Sequence, residues 1–116
     1  ERWNMLNPDK KPRVPYVTEC LAGAAGVFVA TSDYVKALPH SIARWVPGPL
    51  TALGTDGFGR SETRKDLRDF FEVDARFITV ATLRGLAAEK KIESSIVAKA
   101  IKELDIDPKK ANPMIS

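Results

Sequence analysis

The stretch with the strongest claim to chemistry is Leu53-Gly54-Thr55-Asp56-Gly57-Phe58-Gly59-Arg60-Ser61, where three glycines stand ahead of a basic and a hydroxyl side chain. A glycine loop that opens a helix turns backbone N–H groups toward an anion, so a phosphate cradle is the first chemistry to weigh. The spacing argues against it. Gly54, Gly57 and Gly59 fit neither G-x-G-x-x-G nor G-x-x-x-x-G-K-[ST], and no acid follows at about 20 residues in the right context. The loop reads instead as a tight strand-to-helix crossover, its glycines supplying backbone angles with φ > 0 and Phe58 pressed into an interface.

Other reactive side chains are few. His40 is the single histidine, and its neighbour Ser41 is adjacent in sequence rather than paired in space, so a Ser-His-Asp relay is not indicated. One histidine and one cysteine also exclude the usual zinc sets. His40 is expected at a surface or an interface. Cys20 lies among Glu19, Leu21 and Ala22 without a neighbouring base and reads as a small core residue. Asp66, Asp69, Glu72 and Asp74 could form a carboxylate pair, but they alternate with Arg64, Lys65, Arg68 and Arg76. That alternation predicts a solvated helix face with i,i+4 ion pairs. No catalytic or metal-binding constellation survives.

The elements that carry these residues follow from periodicity and breakers. Residues 1–14, with Pro8, Asp9, Lys10, Lys11, Pro12 and Arg13, have the composition of a surface connection. Pro15 suits the first turn of a short helix reaching Leu21, with Gly23 and Gly26 at its exit. Val27–Ala30 reads as a strand buried on both faces. Ser32 or Asp33 is expected to cap a helix from Tyr34 to about Trp45, with Val35, Leu38, Ile42 and Val46 on its apolar face and Pro39 in its first turns. After Pro47-Gly48-Pro49, Leu50–Leu53 is a second strand. Ser61 is expected to cap a helix from Glu62 to about Phe71, Glu62 complementing its dipole. Asp74 caps another helix to about Lys90, and Ser94–Leu104 forms a last one around Ile96, Val97, Ala100, Ile101 and Leu104. The tail beyond Asp107-Pro108 is expected to be loosely ordered.

At 116 residues the chain supports one compact domain. The net charge is +3, but residues 1–58 carry 6 basic and 5 acidic side chains and residues 59–116 carry 12 and 10. Interleaved charge of this kind is not a nucleic-acid stripe. No apolar run approaches the ~20 residues of a membrane helix. The single cysteine suits a reducing compartment. Glu1-Arg2-Trp3-Asn4 is no signal peptide, and a start without Met reads as a piece or a processed product. Strand, helix, strand and further helices give an α/β class. Two strands alone make a poor parallel sheet, so strands upstream of Glu1 are expected to be missing.

Several blocks, in order, carry a resemblance. Glu1-Arg2-Trp3-Asn4, Pro12-Arg13-Val14-Pro15-Tyr16, Leu53–Ser61 with Arg64, Phe71-Glu72-Val73-Asp74, Asp107 and Asn112-Pro113 resemble the end of the homodimeric, bacterial pyruvate dehydrogenase E1 component. The resemblance implies a transketolase C-terminal-domain-like α/β sandwich that buttresses the middle domain and the dimer, truncated here at its N-terminal strand–helix–strand elements. It assigns residues 1–14 to a connecting segment and 15–116 to the partial domain. In that family the full subunit uses thiamine diphosphate and Mg²⁺ to decarboxylate pyruvate in the bacterial cytoplasm. It then acetylates the lipoyl group of the E2 dihydrolipoyl acetyltransferase. Neither the diphosphate-binding G-D-G motif with its downstream Asn nor the activating Glu occurs in this chain, so no catalytic, cofactor-binding or metal residue carries over. Position 62 is Glu where the family suggests Asp.

The expectation is therefore a structural, dimer-supporting domain of E1 that is not itself catalytic. Gly54, Asp56, Gly57, Phe58, Gly59 and Arg60 would make its main contact with the neighbouring domain. Its partners would be the remainder of the subunit, the homodimer mate and E2, with no nucleic acid and no membrane. The rival is a stand-alone basic α/β interaction module using its C-terminal helices. A transketolase is a weaker alternative, disfavoured by the Phe71-Glu72-Val73-Asp74 block.

Overall fold

A computed structural model describes residues 1–116. In chain order the elements are α1 (Arg2–Leu6), α2 (Tyr16–Cys20), β1 (Phe28–Thr31), α3 (Ala37–His40), β2 (Leu50–Leu53), α4 (Arg64–Phe70), α5 (Ala75–Ala88) and α6 (Ser94–Glu103). β1 and β2 pair in parallel in the register Phe28↔Leu50 to Thr31↔Leu53, joined by a crossover through α3. The α/β class and the two expected strands are thus present, β2 with the expected bounds. α5 lies across both strands and against α6, which places the centre of packing between the sheet and α5. There Gly85 lets the helix approach closely, because a Cβ at that position would meet the Val27 side chain at 3.0 Å.

α5 begins where Asp74 stops the chain in an extended conformation. Its carboxylate accepts from the N–H groups of Arg76 (2.9 Å) and Phe77 (3.2 Å), supplying partners that a helix start lacks. Three helices end alike. Glu72, Lys90 and Asp105 follow α4, α5 and α6 with φ of 62°, 59° and 54°. The next residue's N–H reaches back to close the turn: Val73 to Arg68 O, Lys91 to Leu86 O, and Ile106 to Ile101 O. These are Schellman ends, built without the glycine that usually occupies the left-handed position.

Several expectations change. The segment Tyr34–Trp45 is not one helix but the four residues of α3 followed by a 3-10 turn, Ala43–Trp45. Ser32 Oγ accepts from Tyr34 N–H at 3.0 Å and holds the entry as a turn. At the other end the Ser41 hydroxyl donates to Leu38 O at 2.6 Å, claiming the carbonyl that the next helical N–H would use, and Ile42 N–H falls back on Pro39 O. Val35, Leu38 and Ile42 are exposed, so their helical spacing marks a face without a partner in this chain. β1 is partly exposed along its length rather than buried on both faces, because α5 covers only one side of a two-stranded sheet. Helix α4 starts after Thr63, not Ser61. Thr63 Oγ1 accepts from Asp66 N–H and donates to Asp66 Oδ2, which leaves Glu62 outside the helix and gives its dipole role to Asp66. Cys20 is exposed, not core.

Residues 1–14 are held together by their own contacts. Asn4 and Arg13 are bonded both ways, Nδ2 to Arg13 O at 3.0 Å and Arg13 N–H to Oδ1 at 2.8 Å, while the Arg13 guanidinium stacks 4.1 Å from the centre of the Trp3 ring. The tail is packed rather than loose. Pro113 is buried, and the Lys110 ammonium donates to the carbonyls of Asp69 and Phe70 (2.7 Å each), satisfying the C-terminal end of α4.

Only Ala52, Gly54, Phe71, Ala81 and Pro113 are buried. The accessible surface is 8613 Å² for 12.8 kDa. A compact monomer of that mass exposes about 6,300 Å². The surplus, roughly 2,300 Å², is larger than one partner's share of a standard protein–protein interface, about 800 Å². No helix is long and apolar enough to cross a membrane.

Candidate functional site

The loop after β2 is held by backbone approaches that its glycines permit. At Gly54, which is buried, a Cβ would stand 2.4 Å from Tyr34 O and 3.0 Å from Lys36 N. This closeness lets Thr55 N–H donate to Tyr34 O (2.9 Å) and the Thr55 hydroxyl to Asp33 O (2.8 Å). The carboxylate of Asp56 accepts from Lys36 N–H at 3.0 Å, at the entry of α3. Gly57 has φ +96°, and a Cβ there would stand 2.4 Å from Pro113 O. The returning tail therefore rests directly on the loop. Gly59 has open space on its Cβ side.

Beyond these anchors the loop turns outward. Phe58 is 83% exposed, and Met114 and Ile115, next to the Gly57 contact, are exposed as well. The Arg60 guanidinium stacks 4.1 Å from the centre of the Phe70 ring, which itself sits edge-on against Phe71. Between loop and α4 lies an open cleft of about 670 Å³. Its lining includes the apolar Leu67, Phe71 and Val73 together with Arg60, Arg64 and Arg68.

The six loop residues thus divide by task. Gly54 and Asp56 fix the loop to α3, Gly57 seats the tail, and Phe58, Gly59 and Arg60 face outward. Arg64 and Arg68 are exposed, as expected of a solvated face, and line the same cleft as Arg60. Their spacing four residues behind one another and behind Arg60 was the available signal. Lys110 and Pro113 carry no local signal, since their partners lie 40 to 56 residues upstream.

The carboxylates once weighed as an acid/base pair have structural partners. Arg76 joins Asp69 to Asp74, bonding Asp74 through Nε (3.0 Å) and Nη2 (2.8 Å). Lys110 stands 3.6 Å from Glu72. These pairs bridge α4, α5 and the tail, and the i,i+4 pairing expected among these residues does not form; the one i,i+4 pair is Lys99 with Glu103 on α6. Burial pushes the Asp74 carboxyl up, but the Arg76 hydrogen bonds and charge and the Phe77 N–H outweigh it and hold it below its ordinary value. The Asp74 hydrogen bond raises Arg76 in turn. His40 is exposed, as expected.

Thiamine diphosphate and its metal would need a diphosphate cradle and a cluster of oxygen ligands. Asp56 Oδ1 is engaged by Lys36 N–H, the backbone beside Gly57 is covered by the tail, and no three His, Cys, Asp or Glu side chains are grouped to hold a metal ion. These residues do not fit that group. What the loop can do is hold a surface.

Comparison with known proteins agrees with this architecture. Residues 2–74 match the family described as the transketolase-like TK C-terminal domain. The chain is 50% identical over 98% of its length to the pyruvate dehydrogenase E1 component of Pseudomonas aeruginosa, 48% over 98% to that of Cupriavidus necator, and 44% over its whole length to that of Escherichia coli. It spans 13% of the length of each of these relatives. With more than half its residues inside the family match, and a parallel β-α-β unit backed by helices, this chain belongs to the transketolase-like C-terminal domain family.

Proposed function

We propose that these residues serve as the structural, dimer-supporting C-terminal domain of a bacterial pyruvate dehydrogenase E1 subunit. Residues 1–14 act as its connecting segment and residues 15–116 as the domain proper. The whole subunit, a homodimer in the bacterial cytoplasm, carries out thiamine diphosphate- and Mg²⁺-dependent decarboxylation of pyruvate. It passes the acetyl group to the lipoyl group of E2. The cofactor and the reacting groups belong to other domains of the subunit. The loop Gly54, Asp56, Gly57, Phe58, Gly59 and Arg60 is the main contact with the neighbouring domain.

The observation that supports this reading most is Phe58, an aromatic side chain held almost wholly out of its own domain by an anchored loop. The surface surplus points the same way, since it exceeds one partner's share of a standard protein–protein interface.

The test uses a full-length E1 subunit carrying this segment, with Phe58→Asp. Burying a phenyl ring at an interface is worth about 1.5–3 kcal/mol, so the contact with the neighbouring domain should open roughly 10- to 150-fold more readily, and the dimer that this domain supports should weaken with it. Activity should fall in step with dimer loss and return at high protein concentration. Unchanged dimerisation and thermal midpoint would refute the interface role. Decarboxylation by the 116-residue chain alone, given pyruvate, thiamine diphosphate and Mg²⁺, would refute the placement of the chemistry elsewhere.

A further inference from the structure

We infer that the cleft between the Gly57–Arg60 turn and α4 grips a carboxylate-bearing segment of the E1 dimer that lies outside these 116 residues, with Arg60, Arg64 and Arg68 as its hooks. The inference rests on the proposed interface role and adds to it the chemistry of the occupant.

All three arginines line one cleft. Arg64 and Arg68 are one turn apart on α4, where like charges repel unless an anion lies between or beside them. Within this chain none of the three forms an ion pair. Of the acids nearest in sequence, Glu62 and Asp66 pair with no cation, Asp66 being engaged by Thr63, and the others are taken. Asp69 and Asp74 are bound by Arg76, and Glu72 by Lys110. Asp33 and Glu62 also line the cleft, but neither comes within ion-pair distance of any cation, and the three arginines outnumber them.

The setting favours a strong pairing. The Arg60 guanidinium sits over the Phe70 ring, and a guanidinium held over an aromatic face can also make the forked, two-bond contact with a carboxylate. The apolar lining of Leu67, Phe71 and Val73 excludes water once covered, which strengthens a charged hydrogen bond beside it. The rim decides between a polypeptide and a small anion. Phe58, Met114 and Ile115 are exposed beside the cleft, and a free phosphate or carboxylate metabolite would leave them bare. A polypeptide segment covers the apolar rim and pairs the arginines together, the Arg-and-aromatic combination that marks interface centres.

The experiment is carbodiimide cross-linking of a full-length E1 subunit with Arg64→Lys. A guanidinium does not couple to activated carboxylates, whereas the introduced amine does, so any new link reports the carboxylate it faces. The expected result is a link absent from wild type and from Arg64→Gln, mapped by mass spectrometry to an Asp or Glu outside these residues. No new link, or links confined to Asp33 and Glu62, would overturn the inference. So would abolition of the link by pyrophosphate with an arginine-dependent rise in thermal midpoint, the signature of a small-anion site. Should Phe58→Asp weaken the dimer while no link forms, the interface role stands and this inference falls.

Discussion

The three glycines of the loop should respond to the same substitution in different ways, and Gly54→Ala is the decisive case. The added methyl would lie 2.4 Å from Tyr34 O and 3.0 Å from Lys36 N, both backbone atoms, so no side chain can swing aside to relieve it. The two segments must part. That movement lengthens the bond from Thr55 N–H to Tyr34 O, now 2.9 Å, and the one from Lys36 N–H to Asp56, now 3.0 Å. Overpacking costs about 1–3 kcal/mol and each weakened hydrogen bond about 1 kcal/mol, against roughly 0.4–1 kcal/mol regained from the stiffer unfolded chain. The net is about 2–4.5 kcal/mol, or roughly 30- to 2,000-fold faster local opening. Hydrogen exchange of peptides spanning residues 50–56, followed by mass spectrometry in a full-length E1 subunit, reads this directly. Gly59→Ala is the control, with no neighbour within 4 Å and a change within about 0.5 kcal/mol. Equal exchange in Gly54→Ala and wild type would refute the close-approach argument, as would a Gly59→Ala variant that opens as readily as Gly54→Ala.

Two further outcomes concern the helix ends. Lys90→Gly and Asp105→Gly each relieve a left-handed backbone occupied by a side chain and should raise the stability of the 116-residue chain by about 1 kcal/mol, measured by urea unfolding. Glu72→Gly should gain less, because it also forfeits the contact with Lys110. Asp74→Ala should cost about 1 kcal/mol at neutral pH through the lost cap. Because the folded carboxyl titrates below its ordinary value of 3.8, this contribution is present above that value and disappears as the pH falls through the lower folded one. The gap between wild type and Asp74→Ala in unfolding midpoint should therefore close in strong acid, and a gap that persists there would contradict the ion-pair account.

Elements whose signals are local were legible. Leu50–Leu53, the Asp74 cap, α5 and α6 all appear where periodicity and capping placed them, since a helix start or a short apolar strand is decided by residues within one turn. The loop was legible as a tight crossover for the same reason: closely spaced glycines imply a backbone that other residues would obstruct.

The amino-acid sequence by itself determined the α/β class, the absence of the usual thiolate or histidine zinc sets, and the family resemblance that the comparisons then showed. Tertiary structure decided which candidate residues face inward and which face out. Ser41 and Pro39 broke the Tyr34–Trp45 helix through hydrogen bonds that periodicity does not register. The tail packs because Pro113 meets Gly57 and Lys110 meets the end of α4, contacts between segments far apart in the chain. Phe58 and the arginine cleft are exposed because the neighbouring elements of this chain stop short of them. Spacing along a chain encodes what one turn can satisfy. It does not encode which distant backbone will come within three ångströms of a glycine, and here that approach sets the loop, the tail and the outward face together.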